Sequence, residues 1–264
     1  MTFQEKLDRI VKKNSSLVCV GLDSNVEKIP GKNSQFLFNK SIIEATNDLV
    51  CSYKLNTAFY ESIGYDGIKF LKMTCDYLRT KYPEIPIIID AKRGDVGSTN
   101  QGYVQFVFTY LGSDAVTVNP YLGEEAIRPF LKEKDKGIII LCRTSNKGAG
   151  EFQDLKVGKT PIYKIVAENV SRKWNKNKNC LLVIGATYHD ELKEVRKIVG
   201  SDMTFLVPGI GAQGGDLRAT LKAGLNKKGS GLIINSSRGI IFAQNPRNEA
   251  EKLREQINRF RISK

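Results

Sequence analysis

Residues 87–99 read Ile87-Ile88-Ile89-Asp90-Ala91-Lys92-Arg93-Gly94-Asp95-Val96-Gly97-Ser98-Thr99. An apolar run leads straight into alternating charge. Such a run reads as a parallel strand buried on both faces, with the charges marking its C-terminal end. Residues two apart on a strand share a face, so Asp90 and Lys92 are expected to project together, with Asp95 one short turn later. Flanking carboxylates favour the charged form of an ammonium. A cation fixed in this way on a rigid element suits a reaction that develops negative charge on carbon.

Working outward, similar apolar runs recur at 16–23, 52–56, 86–92, 115–120, 137–143, 181–187, 204–210 and 231–237, eight in all. Segments with helical periodicity lie between them, at 38–50, 65–80, 100–111, 160–174, 191–199 and 216–223. Near-continuous apolar strands alternating with amphipathic helices predict a parallel sheet. Eight units in a chain of 264 residues predict an α/β fold, a single (β/α)8 TIM barrel, as one domain over 1–264. The competing architecture is an open doubly wound sheet. No Gly-x-Gly-x-x-Gly follows the first strand, so nothing supports dinucleotide binding there. The connection 144–159 carries three glycines and is long for a compact fold. Its place on the C-terminal face favours a lid.

The composition narrows the partners. No run approaches the ~18 apolar residues of a membrane helix, and the N-terminal residues show no secretory signal. The five cysteines (Cys19, Cys51, Cys75, Cys142 and Cys180) form no Cys-x-x-Cys pair, so buried, reduced thiols in a cytoplasmic protein are expected. The net charge of +13 attracts anions, either nucleic acid or a phosphorylated small substrate. The densest basic run, 172–179, reads as a solvated turn, and no zinc-finger or ribonucleoprotein motif accompanies it. The expectation is therefore no nucleic acid and no membrane. His189 is the single histidine, which leaves a histidine triad or zinc site poorly supported.

Barrels of this kind place their chemistry at the C-terminal strand ends. Those ends offer Asp23, Lys54 with Asn56, Asp90 with Lys92, Asn119, Arg143-Thr144-Ser145, Thr187, Pro208-Gly209-Ile210-Gly211 and Ser236-Ser237-Arg238-Gly239. A single charge at a strand end is usually a structural ion pair. Two lysines and two aspartates converging from neighbouring ends are harder to explain that way, because buried charge is costly unless paired. The glycines after the seventh strand could be turn residues. With Gln213 among them and Arg238 after the eighth strand, they also suit a phosphate.

On these residues the chain resembles the orotidine 5′-phosphate decarboxylase family over essentially its whole length. Its strand-three signature is similar to the branch reading Asp-Ala-Lys-Arg-Gly-Asp-Ile-Gly-Ser-Thr, with Val96 in place of the isoleucine. Further matches are Gly21-Leu22-Asp23, the stretch from Lys54 to Glu61, Asn119-Pro120-Tyr121-Leu122-Gly123, Thr144-Ser145-Asn146, the stretch from Val207 to Gly215, and Asn235-Ser236-Ser237-Arg238-Gly239.

The resemblance implies cofactor-free, metal-free decarboxylation of orotidine 5′-phosphate to UMP. Lys92 would protonate C6, Asp90 would lie beside the substrate carboxylate, and Lys54 would pair with Asp90 and touch the ribose. Asp23 and Asn56 would bind ribose hydroxyls and Ser145 the pyrimidine amide. Pro208 would line the site, and Gln213, Gly239 and Arg238 would hold the phosphate. Asp95 and Thr99 would reach across a homodimer interface into the partner's site. The resemblance also brings in association with orotate phosphoribosyltransferase, the preceding enzyme of the pathway, as a partner to test for. Many family members carry a longer phosphate-closing loop after the seventh strand; here only 209–212 separates Pro208 from Gln213, which makes 144–159 the candidate closing segment. The alternatives are a magnesium-dependent sugar-phosphate decarboxylase of the same suprafamily and a basic RNA-binding barrel.

Overall fold

The computed structural model describes residues 1–31, 34–210 and 215–262. Eight strands close into a barrel: β1 Val18–Gly21, β2 Ser52–Asn56, β3 Ile87–Arg93, β4 Ala115–Val118, β5 Gly137–Arg143, β6 Cys180–Ile184, β7 Phe205–Pro208 and β8 Leu232–Ser236. Around the barrel the order is β1-β8-β7-β6-β5-β4-β3-β2, and every pairing is parallel. The open-sheet alternative is thereby excluded. The strands read as unbroken apolar runs because helices cover their outer faces while side chains fill the inside; β1, β4 and β6 are buried along their whole length.

The opening helix Phe3–Asn14 closes the N-terminal end of the barrel. It buries Phe3, Leu7 and Ile10, and Lys6 pairs with Asp114, just before β4, at 2.8 Å. The same end is tied together by Arg196, on the helix His189–Val199. Its guanidinium donates to the carbonyls of Gly224 (2.9 Å), Gly200 (3.0 Å) and Gly231 (3.0 Å) and stacks on Phe205 at 3.8 Å. A charge buried among carbonyl dipoles without a carboxylate loses hydration, and burial lowers this arginine to about 10.

Between β5 and β6 the sequence reading needs adjustment. The connection 144–159, expected as an irregular loop, contains a 3-10 turn Lys147–Ala149, a short helix Gly150–Gln153 and the first strand, Lys156–Val157, of a hairpin closed by Thr160–Pro161. Gln153 folds this segment onto its own root. Its amide oxygen accepts from the Thr144 N–H at 2.9 Å, and its amide nitrogen donates to Thr144 Oγ1 at 2.8 Å. The helix expected from 160 accordingly starts after Pro161, at Ile162. All five cysteines are free and buried, as expected. Among the described residues no helix is long and apolar enough to cross a membrane.

Candidate active site

The end of β3 departs from a regular ladder. Ile89 pairs with Val116 and Arg93 with Val118, so residues 90–92 bulge out opposite Thr117 alone. Within the bulge Lys92 has φ of 47°, a left-handed conformation that costs a non-glycine residue on the order of 1–3 kcal/mol. Thr117 supplies what the ladder no longer does: its Oγ1 accepts the Lys92 N–H at 2.9 Å and donates to Asp90 Oδ1 at 2.9 Å. Lys92 Nζ reaches the same Oδ1 at 2.7 Å. Asp90 and Lys92 do meet, as their spacing predicts, but through a bulge rather than through regular alternation.

On β2, Lys54 is buried and lies between two carboxylates. Its Nζ is 3.2 Å from Asp23 Oδ1 and 3.1 Å from Asp90 Oδ2. Burial alone would push Lys54 down, but Asp23 and Asp90 outweigh it and hold the ammonium well above the usual lysine range. Burial would likewise push the Asp90 carboxyl up. The charges of Lys54 and Lys92 override that, helped by hydrogen bonds from Lys92 and Thr117, and hold it well below the usual carboxylate range. A chain of alternating charge, Asp23–Lys54–Asp90–Lys92, therefore crosses three adjacent strand ends, with every inner member paired on both sides.

This electrostatic bond sets a pH-dependent stability. The folded site prefers the charged Asp90, so its contribution is complete above the unfolded value of ~3.9 and is lost as pH falls toward the lower folded value. Asp90→Asn removes the anion between two ammoniums and is expected to cost on the order of 2–4 kcal/mol at pH 7. The difference from the parent should shrink below about pH 4, where the unfolded carboxyl is neutral. Urea unfolding at pH 7 and pH 3 measures this; an equal or larger gap at pH 3 would contradict it.

These charges form one wall of a cavity of about 450 Å3, within the range of small-molecule sites. The rest of the lining includes Ser145, Asn146 and Gln153 from the β5 side, Pro208 at the end of β7, and Asn235, Ser237 and Arg238 on or just after β8, next to β1. Arg238 is exposed, and its guanidinium makes no hydrogen bond or ion pair among the described residues. Ser145 sits where it does because residue 185 is glycine. A Cβ there would lie 2.7 Å from Ser145 Cβ and 2.9 Å from its backbone nitrogen, so only glycine lets the ends of β5 and β6 approach so closely. A larger cleft of about 1060 Å3, lined by residues such as Asp8, Lys12, Thr204 and Gly231, opens at the N-terminal end of the strands, away from this constellation.

Of the residues expected from sequence, Asp23, Lys54, Asn56, Asp90, Lys92, Ser145, Pro208 and Arg238 line the cavity together. Asp95, Thr99 and Gly239 do not line it. Asp95 Oδ1 accepts the Val96 N–H at 2.7 Å, and Thr99 is exposed. Gln213 lies outside the described residues. Sequence reasoning missed Thr117 and Gln153. Thr117 carries a readable signal, as the one hydroxyl in the otherwise apolar strand β4, two residues before Asn119.

A closed parallel barrel with its charged groups gathered at the C-terminal mouth has the build of a (β/α)8 enzyme. Comparison with known proteins narrows that class. Residues 16–253 match the model of the orotidine 5′-phosphate decarboxylase / HUMPS family. The chain is 47% identical over 272 residues to the orotidine 5′-phosphate decarboxylase of Cellvibrio japonicus, covering 98% of each protein. Among solved structures it resembles Leishmania donovani OMP decarboxylase, with a TM-score of 0.90 and 39% identity over 99% of this chain and 100% of that one. It also resembles Leishmania donovani UMP synthase, with a TM-score of 0.93 and 41% identity; there it is matched over its whole length but spans 57% of that protein. The chain belongs to the orotidine 5′-phosphate decarboxylase family.

Proposed function

We propose that this protein decarboxylates orotidine 5′-phosphate to UMP in pyrimidine biosynthesis, acting as a carboxy-lyase. One observation carries the proposal: the Asp23–Lys54–Asp90–Lys92 chain and the free guanidinium of Arg238 share one cavity, in a chain that matches an orotidine 5′-phosphate decarboxylase over 98% of its length. Loss of carbon dioxide leaves an electron pair on C6. The Lys92 ammonium stabilises that charge as it develops and then donates its proton to C6. Because it is already oriented by Asp90, it needs no reorganisation. Asp90 beside the departing carboxylate adds a smaller share, a repulsion that ends when carbon dioxide leaves.

Binding follows the walls of the cavity. Asp23 and Asn56 hold ribose hydroxyls, Lys54 orients Asp90 and touches the ribose, Ser145 bonds the pyrimidine amide, and Pro208 packs behind it. Arg238, Gln213 and Gly239 hold the phosphate. Asp95 and Thr99, which do not line their own cavity, serve the site of a second copy in a homodimer. The whole of 1–264 acts as one cytoplasmic barrel domain. The match to a longer UMP synthase supports association with the enzyme that supplies the substrate, orotate phosphoribosyltransferase.

Absorbance on adding orotidine 5′-phosphate tests the function. A decline that survives EDTA is expected; an unchanged trace refutes the activity, and abolition by EDTA favours the magnesium-dependent reading. Arg238→Ala tests the phosphate grip. Binding energy from a remote group is used in the transition state as well as in binding, so kcat/KM should fall by roughly two or more powers of ten. The variant should also discriminate less against orotidine lacking its phosphate. Unchanged phosphate dependence would remove Arg238 from this role.

A further inference from the structure

We infer that Thr117 is a positioning residue for the decarboxylation, because its hydroxyl ties the backbone of Lys92 to the same Asp90 oxygen that holds the Lys92 ammonium. The inference rests on the proposed role of Lys92. Three observations combine. Residues 90–92 bulge opposite Thr117 alone, so the Lys92 N–H has no strand partner. Thr117 Oγ1 accepts that N–H at 2.9 Å, which leaves the single hydroxyl proton free to go to Asp90 Oδ1, also at 2.9 Å. Lys92 Nζ ends on the same Oδ1 at 2.7 Å. The two ends of Lys92 thus close a ring through one hydroxyl and one carboxylate oxygen.

The ring answers two difficulties at once. Lys92 has φ of 47°, a conformation that persists only where its surroundings enforce it. Its side chain is 47% exposed, so packing alone does not fix the ammonium. Thr117 is fully buried and β-branched, so its own χ1 is restricted and the hydroxyl is a rigid anchor. Valine keeps the shape and removes the anchor; serine keeps the anchor and removes a methyl group. A role in packing alone would rank these two variants in the opposite order from a role in positioning.

The test compares Thr117→Val with Thr117→Ser. In the valine variant kcat should fall about thirtyfold or more with KM within about threefold, as expected for a displaced reacting group. The serine variant should keep kcat within about threefold of the parent. Residue-resolved hydrogen exchange gives a readout independent of turnover: the Lys92 amide should exchange at least about tenfold faster in the valine variant and at the parental rate in the serine variant. If Thr117→Val does not fold, Thr117→Ala is set against serine in the same way. A valine variant with parental kcat and parental Lys92 exchange, or valine and serine falling alike, overturns the inference. If the parent itself fails to turn over orotidine 5′-phosphate, the proposed function falls and the exchange result alone decides whether Thr117 positions Lys92.

Discussion

Lys92→Ala is expected to abolish turnover of orotidine 5′-phosphate while leaving the barrel folded. The side chain is 47% exposed and stands at the mouth, so its loss opens no cavity in the core. Asp90 keeps Lys54 and Thr117 as partners, so no buried charge is stranded. The chemistry has no such reserve. Lys54 is the other ammonium in the cavity wall, and it is buried between Asp23 and Asp90. Loss of both the preorganised cation and the proton donor should cost about four or more powers of ten in kcat. Circular dichroism and urea unfolding check the fold, and the absorbance assay checks the rate. Activity within about tenfold of the parent would take the proton-donor role away from Lys92.

The second large effect is a gain. Lys92→Ala and Asp95→Asn should each be inactive alone, and mixing them under conditions of subunit exchange should restore activity. In a hybrid dimer with shared sites, one site carries both defects and the other joins an intact Lys92 to an intact Asp95. Equal mixing yields about half hybrids, and therefore about a quarter of the parental sites. The geometry that motivates the mixing is local. Asp95 and Thr99 do not line their own cavity, while Val96, Tyr121 and Leu122 expose apolar side chains in the loops after β3 and β4. Such groups suit a surface that a second copy covers. Native mass spectrometry reports the exchange. Hybrids that form without activity would place both groups in one chain's site.

Much of this was legible because the physics is short-ranged along the chain. The apolar run before Asp90 marks a strand buried on both sides, and seven further runs repeat it, so barrel closure follows from counting. The alternation of Asp23, Lys54, Asp90 and Lys92 at strand ends is visible in the sequence because parallel strands bring their C-terminal ends to one mouth. What stayed hidden depends on register. The bulge at 90–92 is a property of the β3–β4 pairing, and no residue within 87–93 announces it. The helix Gly123–Leu131 was not among those picked out by periodicity; it contains Pro129, a residue that usually ends a helical pattern. Gln153 looked like one polar residue in a loop. Its role comes from the fold-back that brings it to Thr144.

The four side chains of the ion chain carry formal charges that cancel, two negative and two positive. Seen from a distance, that wall is almost silent. A substrate bearing both a carboxylate and a phosphate is therefore not drawn in by the four residues proposed to act on it. Its approach is governed by the remaining surface, which holds the chain's excess of +13, and by Arg238 at the rim. Capture and chemistry are then adjustable apart from one another. Recharging the outer helices should alter how quickly substrate arrives and how strongly salt slows it, while events after arrival proceed unchanged.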